Sequence, residues 1–99
     1  MDAHADRMSL VMSANRALLG EVSGGVRAVL IKADASAIYL KAIFDGAISE
    51  DDRGSISVAG SEVAADFDAF QVFDDCVRID RPEAVPVDEN WDLVFLRKE

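Results

Sequence analysis

Residues 43 to 68 constrain this chain more than any other stretch, because they spell a strand end, a turn and a helix whose start is written into the sequence. Ser49 suits an N-cap, and Asp52, three residues on, can close a capping box in place of the usual glutamate. Glu50, Asp51 and Asp52 lie where the helix dipole favours negative charge. Ile56, Ala59, Gly60, Val63 and Phe67 then recur at three- and four-residue steps, which predicts one narrow inward stripe. Strand-like segments lie on both sides, so the helix is expected to be the crossover or packing layer over a sheet.

The rest of the chain supplies that sheet. Val26 to Ala33 and Ala37 to Phe44 are apolar on both sides of their alternation, which predicts two central strands joined by a short hairpin loop at Asp34-Ala35-Ser36. Phe70 to Phe73 and Cys76 to Ile79 read as one strand, with a bulge or kink expected where Asp74 and Asp75 interrupt it. Two prolines make Arg81 to Asn90 a loop, and Trp91 to Leu96 a closing strand. Near the start, Met8, Val11, Met12, Asn15, Leu18 and Leu19 share a helical face that is expected to be buried, with Ser9, Ser13 and Arg16 opposite and Gly20 as the stop. Asn15 then needs a backbone partner for its amide. The fold class is α+β: two helices packed on a four-stranded, mainly antiparallel sheet, in the order α-β-β-α-β-β, as one globular domain spanning residues 1–99.

Charge is distributed unevenly. Residues 1–44 carry five bases and four acids, whereas residues 45–92 carry fourteen acids against Arg53, Arg78 and Arg81, out of a whole-chain net of -9. Such a surface repels free nucleic acid and anionic membranes and attracts a basic protein. The three arginines are expected to anchor neighbouring carboxylates within the chain. A single cysteine excludes an internal disulfide, and the lack of an apolar run near twenty residues or of a leader pattern leads to the expectation of a cytoplasmic protein.

Catalytic chemistry finds little support. His4 stands in a terminal stretch without a fixed partner, and Cys76 has no second cysteine or histidine to activate it, so it is expected to pack in the core. Asp66-x-Asp68 and Asp74-Asp75 could meet a hard cation, but the ligand spacing and glycine of a calcium loop are missing. No catalytic residue, no metal and no cofactor is expected. On the central helix, Gly54, Val58, Ser61 and Ala65 fall opposite the core stripe, a smooth strip edged by Glu50, Asp51, Glu62 and Asp66. Small residues on a surface can mean nothing; alternatively, the strip lets another chain approach closely.

Several pieces together carry a likeness: Asn15-Arg16-Ala17-Leu18-Leu19-Gly20, Arg27-Ala28-Val29, Phe44-Asp45-Gly46, Ser49-Glu50-Asp51-Asp52-Arg53, Ser61-Glu62-Val63-Ala64-Ala65-Asp66-Phe67, and Trp91 followed by Phe95-Leu96-Arg97-Lys98-Glu99. The chain resembles small bacterial immunity proteins of contact-dependent growth inhibition and related polymorphic toxin systems. That resemblance implies a non-enzymatic protein that neutralises a cognate toxin, without implying shared binding residues. Combined with the charge distribution, it leads to the expectation of a one-to-one complex with a basic toxin domain, a nuclease, through Glu50, Asp51, Glu62, Asp66, Asp68, Asp74 and Asp75. Two rivals stay open: a structural or regulatory homodimer joined by a sheet edge or by the small-residue strip, and a carboxylate-dependent hydrolase or metal protein.

Overall fold

A computed structural model describes residues 5–86 and 88–99; His4 lies outside them. The element order is α1 (Arg7–Ala17), β1 (Val26–Ala33), β2 (Ala37–Phe44), α2 (Glu50–Asp66), β3 (Gln71–Arg78) and β4 (Asp92–Leu96). The strands form one sheet in the order β3-β2-β1-β4. The doubly apolar strands β1 and β2 take its middle, as their composition demands. β1 pairs antiparallel with both β2 and β4, while β2 pairs parallel with β3. The sheet is therefore mixed, and α2 is the crossover that a parallel β2-β3 pair requires.

The hairpin loop closes locally. Asp34 accepts hydrogen bonds from the amides of Ser36 and Ala37 at 2.9 and 2.8 Å, and the Asp34 amide bonds the Ala37 carbonyl. Those bonds hold its carboxyl below the usual range.

Both helices lie on the same side of the sheet, α2 against β3 and α1 against β4 and β1, in contact with each other. The main core joins Val29, Ile31, Ile38, Leu40, Ala42 and Phe44 from the sheet to Leu10, Ala14 and Ala17 of α1 and Ile56, Ala59 and Val63 of α2. A smaller cluster on the far side of the sheet (Ala28, Leu30 and Ile43) is covered by Val77, Ile79, Val85 and Trp91, so the proline-containing loop acts as the lid that a helix provides on the other face. Lys32 and Lys41 stand over the Trp91 ring at 4.6 and 4.4 Å from its centre and extend this cover by cation-π contact.

Two expectations need correction. β3 runs without a bulge: its register with β2 is even from Gln71 to Arg78. The strand is at the sheet edge, so Asp74 and Asp75 can point to opposite faces and both stay solvated. Asp74 is on the helix side, fitted over Gly60, where an added Cβ would come within 2.9 Å of its carboxylate oxygen. A glycine in the core stripe of α2 thus makes room for an acid on the neighbouring strand.

The second correction concerns α1, which is turned the other way. Its buried residues are Leu10, Ser13, Ala14 and Ala17, while Met8, Met12 and Leu19 are 73%, 61% and 77% exposed. Only Leu18 of the expected stripe reaches the interior beside Val11, which is half-buried. Small residues on the inner face let the helix approach α2 and the sheet closely, a packing that the methionines would block. Polar bonds fix the same rotation: the Ser13 hydroxyl donates to Asp66 of α2 at 2.7 Å, and Arg16 pairs with the same carboxylate. Asn15 is consequently exposed, and among the described residues its amide has no partner and needs none.

Candidate functional site

The start of α2 is set by its sequence. The Ser49 hydroxyl accepts from the Asp52 amide at 3.0 Å and the Asp52 carboxylate accepts from the Ser49 amide at 3.4 Å, a complete capping box. Asp52 is held in its charged form first by the Ser23 hydroxyl and then by these Ser49 contacts. With Asp52 engaged, Glu50 and Asp51 remain exposed on the first turn.

Along the helix, Ile56, Ala59, Gly60 and Val63 are buried, and Phe67 packs beside the core. Gly54, Val58, Ser61 and Ala65 are not buried and lie along the outside. Two acidic margins flank this strip. Towards α1, Glu62 and Asp66 line an open groove of about 460 Å³ with Ser13, Arg16, Ala17, Leu19 and Ala65. Towards β3, Asp74 sits beside Gly60.

The seven carboxylates expected to bind a partner therefore divide. Glu50, Asp51, Glu62 and Asp74 surround the outer side of α2. Asp68 lies in the turn after the helix, at its opposite end from Glu50. Asp75 alternates with Asp74 and points to the other side of the sheet, where Phe73 stacks on Tyr39 with ring centres 5.6 Å apart. Asp66 is tied into the fold: Ser13 first and Arg16 second hold its carboxyl below the usual range.

Apart from Asp66, these acids have no hydrogen-bond or ion-pair partner among the described residues. Four arginines are committed elsewhere. Arg7 donates to Asp92 with its Nε at 2.8 Å, Arg78 pairs with Asp80, and Arg97 pairs with Asp45 and Glu99. Of the three arginines expected to serve as internal anchors, only Arg78 does so; Arg53 and Arg81 form no ion pair among the described residues. The most deeply placed pair went unforeseen. Arg27 is 3% exposed; its Nε and Nη2 grip the Glu99 carboxylate at 2.8 and 2.9 Å, and Nη1 donates to the Ile79 carbonyl. This grip, with help from Arg97, pulls the Glu99 pKa down to about 2. The signal that could have revealed it is a charged residue in the apolar strand Val26 to Ala33, which needs a carboxylate from elsewhere in the chain.

Cys76 is half-buried against the main core, and burial pushes its thiol up, away from the reactive thiolate. Among the described residues no three His, Cys, Asp or Glu side chains come together to hold a metal ion, and no helix is long and apolar enough to cross a membrane.

A solvent-facing helical layer with unpaired acids offers a surface for a macromolecule. A family model described as MafI2 immunity protein matches residues 7–99, from the first residue of α1 to the end of the chain. The chain belongs to the MafI2 immunity protein family. No match was found among curated proteins. As a MafI2-family immunity protein it neutralises a cognate toxin.

Proposed function

We propose that this MafI2-family chain acts in the cytoplasm by one-to-one capture of a basic toxin domain, a nuclease, through the acidic margins of α2. The observation that carries this reading is the division among the carboxylates. Asp45, Asp80, Asp92 and Glu99 are matched to arginines, whereas Glu50, Asp51, Glu62, Asp68, Asp74 and Asp75, grouped on or next to α2 and β3, form no ion pair among the described residues. A nuclease must present positive charge to a phosphate backbone, and an acidic counter-surface steers such a face into contact. Glu50, Asp51, Glu62 and Asp74 form the proposed contact set, with Asp68 at one end. Asp75 contributes to the long-range field from the other face of the sheet. Asp66 holds α1 against α2.

The test is association with the cognate toxin domain, made catalytically inactive. Replacing Glu50, Asp51, Glu62 and Asp74 by lysine is expected to slow association about tenfold or more at low salt and to flatten its dependence on ionic strength. Reversing Glu83 and Glu89, in the loop on the other side of the sheet, is the control, with slowing compared per charge reversed. Equal slowing by both sets sinks the acidic-margin reading, and failure of the active toxin domain to cut RNA or DNA sinks the nuclease reading.

A further inference from the structure

The outer side of α1 carries large apolar side chains that take no part in the core. Met8 and Met12 lie on it one turn apart, beside Arg7, Val11 and Asp92, and Leu19 follows in the turn after the helix on the α2 side; all three are large apolar side chains that are mostly exposed. The inner face of the helix is already filled by Leu10, Ser13, Ala14 and Ala17, so turning the stripe inward would expel those residues and break the bonds from Ser13 and Arg16 to Asp66. A row of exposed apolar side chains at helical spacing is a docking feature when something covers it. We propose that Met8, Met12 and Leu19 form the apolar anchor by which this chain holds its cognate toxin, beside the acidic margins of α2.

Charge selects the occupant. Leu19 shares the groove between the helices with Glu62 and Asp66, so a body that covers Met8, Met12 and Leu19 together also meets the α1-facing acidic margin. The two arginines on α1, Arg7 and Arg16, are paired with Asp92 and Asp66 and offset none of the remaining negative charge. A second copy of this chain, itself carrying -9, would bring like charges together on this face, whereas a basic toxin would bring opposite ones. The two helices side by side supply what a stable contact needs. Methionines adapt to an irregular partner surface, the low strip of Gly54, Ser61 and Ala65 allows close approach, and the carboxylates form a hydrated rim. The footprint also fits: a 17-residue helix is about 25 Å long and two helices are about 20 Å across, comparable with a patch that loses about 800 Å² on binding.

This inference rests on the proposed capture of a toxin domain and adds the part that sets how long the complex lasts. The experiment measures association and dissociation rates of the full chain and the inactive toxin domain, comparing the parent with a triple variant, Met8→Ser, Met12→Ser and Leu19→Ser. All three side chains are exposed, so the thermal midpoint of the triple variant should match the parent's. Its dissociation rate is expected to rise at least a hundredfold, while its association rate and salt dependence stay within threefold of the parent's. The single variant Met12→Leu should keep parental dissociation. Dissociation of the triple variant within threefold of the parent overturns the proposal. A parent that forms a dimer alone, lost in the triple variant, also overturns it by giving the stripe to a second copy. If the triple variant fails to hold the toxin but the lysine reversals on α2 and Asp74 change nothing, the anchor stands and the acidic-margin reading falls.

Discussion

The two helices are packed on the same face of the same sheet, yet they place their apolar side chains in opposite ways. On α2 the interior receives Ile56, Ala59, Gly60 and Val63, and the outside is small and polar. On α1 the interior receives a leucine, a serine and two alanines, while two methionines and Leu19 face water. In α2 the hydrophobic pattern records the fold alone. In α1 the small inner residues go with a close approach to α2, and the large apolar residues outside take no part in the core.

Stability measurements test that contrast directly. Truncation of the inner residues should have the largest effect: Ile56→Ala and Leu10→Ala should each cost about 2–5 kcal/mol of unfolding free energy in urea titrations, because each leaves a cavity under its helix. If Leu10→Ala proved nearly neutral, α1 would not pack by the face described. Next comes the cap that positions α2 alone. Ser49→Ala should cost about 1 kcal/mol in the same titration, through loss of the bond to the Asp52 amide.

A smaller effect belongs to the link between the helices. Asp66 has a lower pKa in the folded chain than in the unfolded one because Ser13 and Arg16 favour its charged form. Its stabilising contribution is therefore complete above the unfolded carboxyl value near 3.8 and fades as the pH falls through the lower folded value. Asp66→Asn should make the urea midpoint less sensitive to pH below that point, and an unchanged acid slope would show that the link does not hold the helices together. The smallest effect should come from the outer face: Met12→Ala should change stability by no more than about 0.5 kcal/mol. A loss above 2 kcal/mol would mean that the methionine stripe is buried after all, and the difference between the helices would vanish.

The legibility of the sequence follows the same contrast. Ser49, Asp52 and the spacing of Ile56, Ala59, Gly60 and Val63 are local signals, and a helix with one apolar stripe has only one way to face a core. The doubly apolar β1 and β2 likewise place themselves at the centre of a sheet. The strip of small residues on α2 and the acids beside it were visible for the same reason. What escaped was decided between distant segments. Whether Asp66 stood free or served as a structural link depended on Ser13 and Arg16 arriving across the helix interface, some fifty positions away in the chain. The pairing of Arg27 with Glu99 depended on the last strand lying beside the first.

Local sequence was enough for the element order, the capped central helix, the two middle strands and the concentration of acid after residue 44, because each depends on neighbours within a few residues or on composition. Tertiary structure alone decided that β3 runs parallel to β2, that Asp74 and Asp75 face opposite ways from an edge strand, and that α1 turns its methionines to solvent. The physical reason is that a helix carrying two usable faces is oriented by the space available beneath it, and that space is set by residues far away in the chain.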